Sequence, residues 1–351
     1  MAALNYATQY LRELTGSFPY TLYFGALWDA VKPEVKFTDN DTVKIPKLKT
    51  TGRKNGDRDN ITAFTRNFSN DWETKQLKTH RTWDTLVHPR DIDETNKTAT
   101  IANITKTMNE TEKFPEMDAE AISSIYALKN SLETITPLAK GTITLSNVLT
   151  YFDTLMDKMD EARVPASGRI LYVDTYTKTM IDTAKENNRN LGALDTAIAR
   201  ALGRIGEVEI VPVPTSAMKS AYIFHTGNET EGRNEGFEVA KDVYEASTDT
   251  SVQSGKTYYT KSSNTYTKVE SPTGNPSTSS YYEKTVEGAK DVKMFLVHPI
   301  AVIPEIAYTF AQLDEPSSLS KGHWTYFEES FEDMFIYNER HSAIQFIVEN
   351  A

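Results

Sequence analysis

The chain has no cysteine. A disulfide framework, a thiolate metal site and a cysteine nucleophile are therefore excluded, and stability has to come from packing and assembly. Long hydrophobic runs are missing too: no apolar stretch reaches the ~20 residues of a membrane-spanning helix. The most apolar early segment, Phe18 to Val31, is broken by Pro19 and Asp29 and follows no basic region of the signal-peptide kind. The chain thus reads as a protein made and kept in a cytoplasm. Positive charge is also in deficit, 38 Lys+Arg against 49 Asp+Glu for a formal net charge of -11. That balance argues against a dedicated nucleic-acid binder, because phosphate contacts need clustered Lys and Arg.

Motifs that carry chemistry are just as scarce. His80, His88, His225, His298, His323 and His341 show no metal-ligand spacing. No GxSxG elbow raises one serine above the others. Gly255-Lys256-Thr257 echoes a phosphate loop, but Thr250 stands where that motif needs its first glycine, so the tripeptide reads as a β-turn. Glu328, Glu329, Glu332 and Asp333 form the densest acidic group and read as a solvated face rather than as a paired-carboxylate hydrolase. No catalytic, cofactor-binding or metal-ligating residue is assigned.

At 351 residues the chain can bury a sizeable core and suggests about two domains. Residues 42 to 94 organise the rest. Two apolar-polar alternations flank a glycine-punctuated tip, which predicts a long two-stranded excursion. Such a ribbon is marginal alone, so a neighbouring subunit is the natural cover. Pro46 marks its first strand as an edge. Lys47, Lys49, Arg53, Lys54 and Arg58 make the tip basic on an acidic chain, which suits either a solvated hairpin tip or pairing between copies. The return strand is expected to hold Trp72, Leu77, Arg81 and Trp83, the tryptophans as packing residues rather than as a stacking site for a base or sugar.

Along the rest of the chain, Leu4, Ala7, Leu11 and Leu14 predict a short amphipathic docking helix. Residues 94 to 113 carry a narrow stripe of Ile101, Ile104 and Met108, and Pro115 is expected to stop that helix. Asp118 would cap a core-facing helix with Ile122, Ile125, Leu128, Leu132 and Ile135, and Ser146 would cap one with Val148, Phe152, Leu155, Met159 and Ala162. Ile170 to Val173 reads as a buried strand, followed by a helix with Tyr176, Met180 and Ile181 as its stripe. A strand over 203 to 214 would bury Val208, Ile210 and Pro212. The pairs Asp333, Phe335, Tyr337 and Ile344, Phe346, Val348 predict two strands joined by the turn Asn338-Glu339-Arg340. Between Asp242 and Lys290 the composition turns to Thr, Ser and Tyr, which predicts an all-β insertion of three or four strands.

The order TVKIPKLKTTG, DRDN, DWET, LKTHR, DIDET, FPEMDAEAISSIY resembles the major capsid proteins of tailed bacteriophages, which share the Hong Kong 97-type fold. The resemblance implies an α+β chain with an N-arm (1–41), an E-loop (42–92), a spine helix and P domain (93–190), and a first part of an A domain (191–241). A small all-β insertion domain (242–290) and the A-domain remainder with the return to the P domain (291–351) complete it. It further implies a non-enzymatic subunit that self-assembles into pentamers and hexamers of an icosahedral shell around double-stranded DNA. Lys49, Arg53, Lys54, Arg58, Trp72 and Arg81 would be inter-subunit contacts. The implied partners are other copies, a separate scaffolding protein, a portal, a decoration protein and non-specifically the packaged DNA, with no membrane and no cofactor. Its place would be the virion, and the host cytoplasm during assembly, with the insertion on the outer face. The rival readings are another phage structural protein, minor capsid or tail, and a carbohydrate-binding surface protein or glycosidase.

Overall fold

The computed structural model describes residues 20–30, 36–39, 42–53, 66–94, 100–188, 204–205, 208–227, 235–253, 256–262, 265–269, 271–277 and 280–350. The N-terminal docking helix, Lys54 and Arg58 lie outside these residues. Contacts divide the chain into two compact units. One holds Phe24–Thr111 and Pro299–Tyr337; the other holds Thr21–Tyr23, Glu112–His298 and Asn338–Ala351.

The first unit starts with a single helical turn, α1 (Gly25–Trp28), in which Leu27 is fully buried. Strands β1 (Lys36–Asp39), β2 (Thr42–Thr50) and β3 (Phe68–Gln76) form an antiparallel sheet in that order. Among the described residues β1 pairs with Thr42 to Lys44, and Pro46 lies beyond that pairing, opposite Trp72 of β3. Strand β4 (His80–Val87) follows, then helices α2 (Pro89–Glu94) and α3 (Ile101–Met108), the latter capped by Thr100 accepting the Asn103 N–H at 3.4 Å. The expected single return strand is in fact two. The chain breaks at Leu77–Thr79, so Trp72 lies on β3 while Arg81 and Trp83 lie on β4, in another sheet.

Among the described residues the second unit is built on three α-helices and a mixed sheet. After a π-helical turn (Asn109–Lys113), α4 (Phe114–Leu132) begins with Pro115 in its first turn, where a missing N–H costs nothing. Pro115 therefore starts a helix instead of stopping one. Asp118 lies one turn inside α4, buried, and accepts the Tyr23 N–H at 2.9 Å; it is not a cap. Ile122 and Ile125 are buried as expected, whereas Leu132, in the last turn, is exposed. Helix α5 (Val148–Glu161) is entered through Asn147, not Ser146: the Asn147 carboxamide accepts from the Thr144 N–H at 2.7 Å and donates to the Thr142 carbonyl at 2.8 Å. Strand β5 (Ile170–Asp174) leads into α6 (Thr175–Asn188), capped by Asp174 accepting the Thr177 N–H at 2.7 Å. That phase turns Thr177, Ile181 and Ala184 inward and leaves Tyr176 exposed, against the expected stripe.

Strands β6 (Arg204–Ile205) and β7 (Val208–Val213) come next, with Val208, Ile210 and Val213 buried and Pro212 exposed. A two-stranded piece, β8 (Tyr222–Phe224) and β9 (Phe237–Val239), precedes the insertion. The insertion is a separate four-stranded antiparallel sheet in the order β10 (Val243–Ala246), β13 (Tyr281–Val286), β11 (Tyr258–Ser262), β12 (Thr265–Lys268). Strand β14 (Asp291–Val297) returns to the body. The chain then crosses to the first unit for β15 (Val302–Asp314) and β16 (Trp324–Ile336), and ends in β17 (Ile344–Glu349). Strands β16 and β17 were expected to be joined by a tight turn. A 3-10 segment, Asn338–Ala343, separates them instead, and each pairs elsewhere, β16 with β15 and β4, β17 with β14.

The main sheet runs β17-β14-β5-β7-β6, with β5 and β7 parallel across α6 and the other pairs antiparallel. One face carries Leu171, Val173, Val208, Ile210, Met294 and Leu296, packed under α5 and α6. On the other, Tyr172 and Phe295 lie 5.6 Å apart, Phe295 stacks on Phe346 at 4.5 Å, and Tyr126 of α4 meets Phe346 edge-on at 5.4 Å. Arg169, 1% exposed, ties the end of α5 to the start of β5 by donating to Asp160 at 2.6 Å and to the carbonyls of Val164 and Pro165 at 2.6 and 2.9 Å.

The root of the insertion is closed. Val243 pairs with Val286, the Gly288 N–H donates to Asp242 at 2.6 Å, and the Ala289 N–H donates to the Ala240 carbonyl at 2.8 Å. A side chain at Gly288 would meet the Asp242 backbone nitrogen at 2.7 Å, so only glycine closes this root without a shift. Deleting Val243 to Val286 across a short Gly-Ser bridge is expected to leave a soluble, folded chain, since the cut ends are strand neighbours. Circular dichroism and a single thermal transition check this; an insoluble product would mean that the insertion completes the core.

Candidate functional site: an uncovered ribbon and its hinge

Directly opposed residues share a face of an antiparallel pair, so the β2–β3 register assigns every side chain of the ribbon. On one face Val43 and Ile45 are buried at the base, and Lys47 and Lys49 oppose Asp71 and Ser69 toward the tip. The other face gathers Pro46, Leu48, Phe68 and Trp72, with Asn70 opposite Leu48, Thr50 opposite Phe68 and Lys44 with Thr74 toward the base. Leu48 is 67% exposed, Phe68 52% and Trp72 44%. Arg66 lies over the Phe68 ring at 4.6 Å. Three large apolar side chains in water on one ribbon face are a surface made for cover.

The second part of the site is the sheet β15-β16-β4 of the same unit. Leu86, Phe310 and Phe327 share one of its faces, Leu86 64% exposed, and Phe310 and Phe327 lie 6.2 Å apart. Further along that face His80 stacks on Phe331 at 4.1 Å and reaches Glu329 at 2.9 Å. The opposite face pairs Trp83 with Tyr326 at 5.7 Å. The Tyr326 hydroxyl donates to Glu328 at 2.8 Å, and burial, then that carboxylate, push the phenol up to about 12.

Between ribbon and sheet sits a corner at Leu77–Thr79. Asp333, 6% exposed, accepts the N–H groups of Lys78 and Thr79 at 2.5 and 3.2 Å and the Thr79 hydroxyl at 3.0 Å. The Glu332 N–H donates in turn to the Thr79 carbonyl at 3.2 Å. Asp333 and Glu332 are thus buried, which corrects their reading as a solvated acidic face, while the neighbouring Glu329 bonds across to His80 and Glu328 bonds along its own strand to Tyr326.

Of the residues expected at subunit contacts, Trp72 lies on the apolar ribbon face, Lys49 on the polar one, and Arg53 is exposed just past β2. Arg81 is half-buried on β4, opposite Ser330. Arg81 and Trp72 belong to different sheets of the first unit. Leu48, Phe68 and Asp333 were missed. The alternation of Pro46 with Leu48 carried a signal for the first, whereas Asp333 is 254 residues from the corner it holds. Among the described residues no group of His, Asp and Glu is arranged to hold a metal ion, and no helix is long and apolar enough to cross a membrane.

No protein-family model and no curated protein matches the sequence. Solved structures do. The capsid structure of the Cyanophage P-SCSP1u is 11% identical, with 99% of this chain and 94% of that one covered and a TM-score of 0.61. Mycobacterium phage Che8, also 11% identical, covers 99% and 98% at 0.50. The asymmetric unit of the bacteriophage PhiM1 mature capsid, 10% identical, covers 88% and 82% at 0.50. At such identities the likeness concerns architecture, and the architecture is the α+β Hong Kong 97-type capsid fold.

Proposed function

We propose that the chain is the major capsid subunit of a tailed phage, self-assembling into pentamers and hexamers of an icosahedral head around double-stranded DNA. The observation that carries this reading is the uncovered apolar face of Pro46, Leu48, Phe68 and Trp72 on a ribbon within a capsid fold. Burying one such side chain against a neighbour contributes about 1.5 to 3 kcal/mol, and a closed shell repeats each contact around every symmetry axis. The role is structural and non-catalytic, and its place is the virion, after assembly in the host cytoplasm. A separate scaffolding protein, a portal and a decoration protein are the partners this reading adds, and the insertion stands on the outer face.

Negative-stain microscopy of the purified chain tests the proposal through closed, uniform particles. The double variant Leu48→Glu, Trp72→Ala is expected to keep the denaturation midpoint of the free subunit and to lose most particle yield. Wild-type yields of closed particles from it would count against the ribbon as the clasp.

A further inference from the structure

The insertion sheet has two unlike faces. One is covered by the insertion's own chain: Tyr258 is fully buried, and its hydroxyl donates to Asp249 at 2.7 Å and accepts the Gln253 N–H at 3.0 Å. Lys256 bridges Asp249 and Glu283 on that side at 2.9 Å each, and the Ser247 hydroxyl donates to Glu283 at 2.5 Å. The small domain is therefore closed from this side by hydrogen bonds and an ion-pair network.

Strand register places Tyr244, Tyr259, Tyr266 and Tyr282 together on the other face. Tyr244 stacks on Tyr266 at 4.1 Å and 7°, Tyr259 meets Tyr244 edge-on at 4.9 Å, and Tyr282 meets Tyr266 edge-on at 5.2 Å. All four side chains are half-buried, so each ring packs on its neighbours and still meets solvent. Lys261, exposed, holds its ammonium 5.4 Å from the Tyr266 ring and 6.0 Å from that of Tyr282.

The chemistry of the partner follows from what this face offers and withholds. Among the described side chains at its paired positions Ala246 is the one aliphatic group, so there is no greasy seam for a lipid or an apolar helix. Lys261, Lys268 and Lys284 also stand on this face, Lys284 matched by Asp242 at 2.7 Å, on a chain of net charge -11, so a polyanion is the rival occupant that a nucleic-acid probe has to separate. What is presented is aromatic rings with polar tips, the counterpart of a ligand with C–H faces flanked by hydroxyls. We propose that this tyrosine face binds a neutral polysaccharide, sugar rings lying on the tyrosines and Lys261 donating to sugar oxygens.

The assay uses soluble full-length protein, so its outcome is independent of whether the chain assembles. Co-sedimentation with chitin, cellulose and insoluble β-1,3-glucan, and affinity electrophoresis in mannan and dextran, supply the probes. At least one sugar polymer is expected to retain the wild type. Tyr266→Ala with Tyr282→Ala should weaken that retention about tenfold or more, as loss of central aromatic anchors does. Tyr266→Phe should keep it, because the ring remains. Where the alanine pair costs the insertion its fold, seen as a lost thermal transition, Lys261→Glu decides: it lies outside the packed rings and should still weaken binding severalfold. Three results overturn the proposal: no retention on any of the five polymers, retention unchanged by Lys261→Glu and the alanine pair alike, or tighter binding to labelled oligothymidylate than to every sugar.

Discussion

Replacing Phe152 by Ala is expected to lower the stability of the free subunit by about 3 to 5 kcal/mol, the usual cost of emptying a large aromatic site in a core. The ring is 4% exposed on α5, between Val148 and Leu155, in the cluster that joins α5 and α6 to Leu171 and Val173 of β5 and to Met294 and Leu296 of β14. Most of that cluster is held on two helices and the main sheet, with Ile143 as its buried loop member, so little can collapse into the cavity and the loss should sit at the upper part of the range. Chemical denaturation of purified subunit measures it, with a lower midpoint at an unchanged slope as the signature. An unshifted midpoint would place Phe152 outside the cooperative core.

Asp333→Ala should remove a comparable share, on the order of 3 kcal/mol, because hydrogen bonds to a charged acceptor are worth more than neutral ones and three donors at Leu77–Thr79 lose theirs together. Its second consequence concerns geometry. The corner sets the direction in which the ribbon leaves the β15-β16-β4 sheet, so particle yield should drop further than the stability loss alone accounts for. Asp333→Asn, which keeps one carbonyl oxygen and turns an N–H donor toward the corner, should fall between wild type and Ala in both measurements. Normal particles from the alanine variant at a temperature where the subunit stays folded would show that the corner does not aim the ribbon.

How much of this was legible in the sequence depended on whether the controlling contact was local. Helix α5 and strand β5 could be read because their own periodicities, Val148-Phe152-Leu155-Met159 and the run from Ile170 to Val173, decide which side is buried. The insertion was visible for a similar reason: Tyr, Thr and Ser at β-prone spacing build a sheet that pairs only with itself. Elsewhere the deciding partner was remote. Nothing near Leu77 announces a break between β3 and β4, since the carboxylate that turns the chain belongs to β16. Asp118 has the composition of a cap, but the Tyr23 N–H claims it within the second turn of a helix that had already begun at Phe114. Tyr176 shares helical spacing with Met180 and Ile181, but the helix begins after the Asp174 cap with Thr177 turned inward and Tyr176 exposed. The apolar ribbon face was half legible, since Leu48 shows alternation while Phe68 and Trp72 join it only once the register is known.

The closed root at Asp242 and Gly288 makes position 243 to 286 a socket. Load hung there is gripped by two adjoining strand ends and a glycine latch, so a pull on the appended piece is shared between two chain crossings instead of one hinge. A foreign domain whose own termini lie side by side should seat in the same place with its orientation held, which would make this chain a carrier of one cargo per copy.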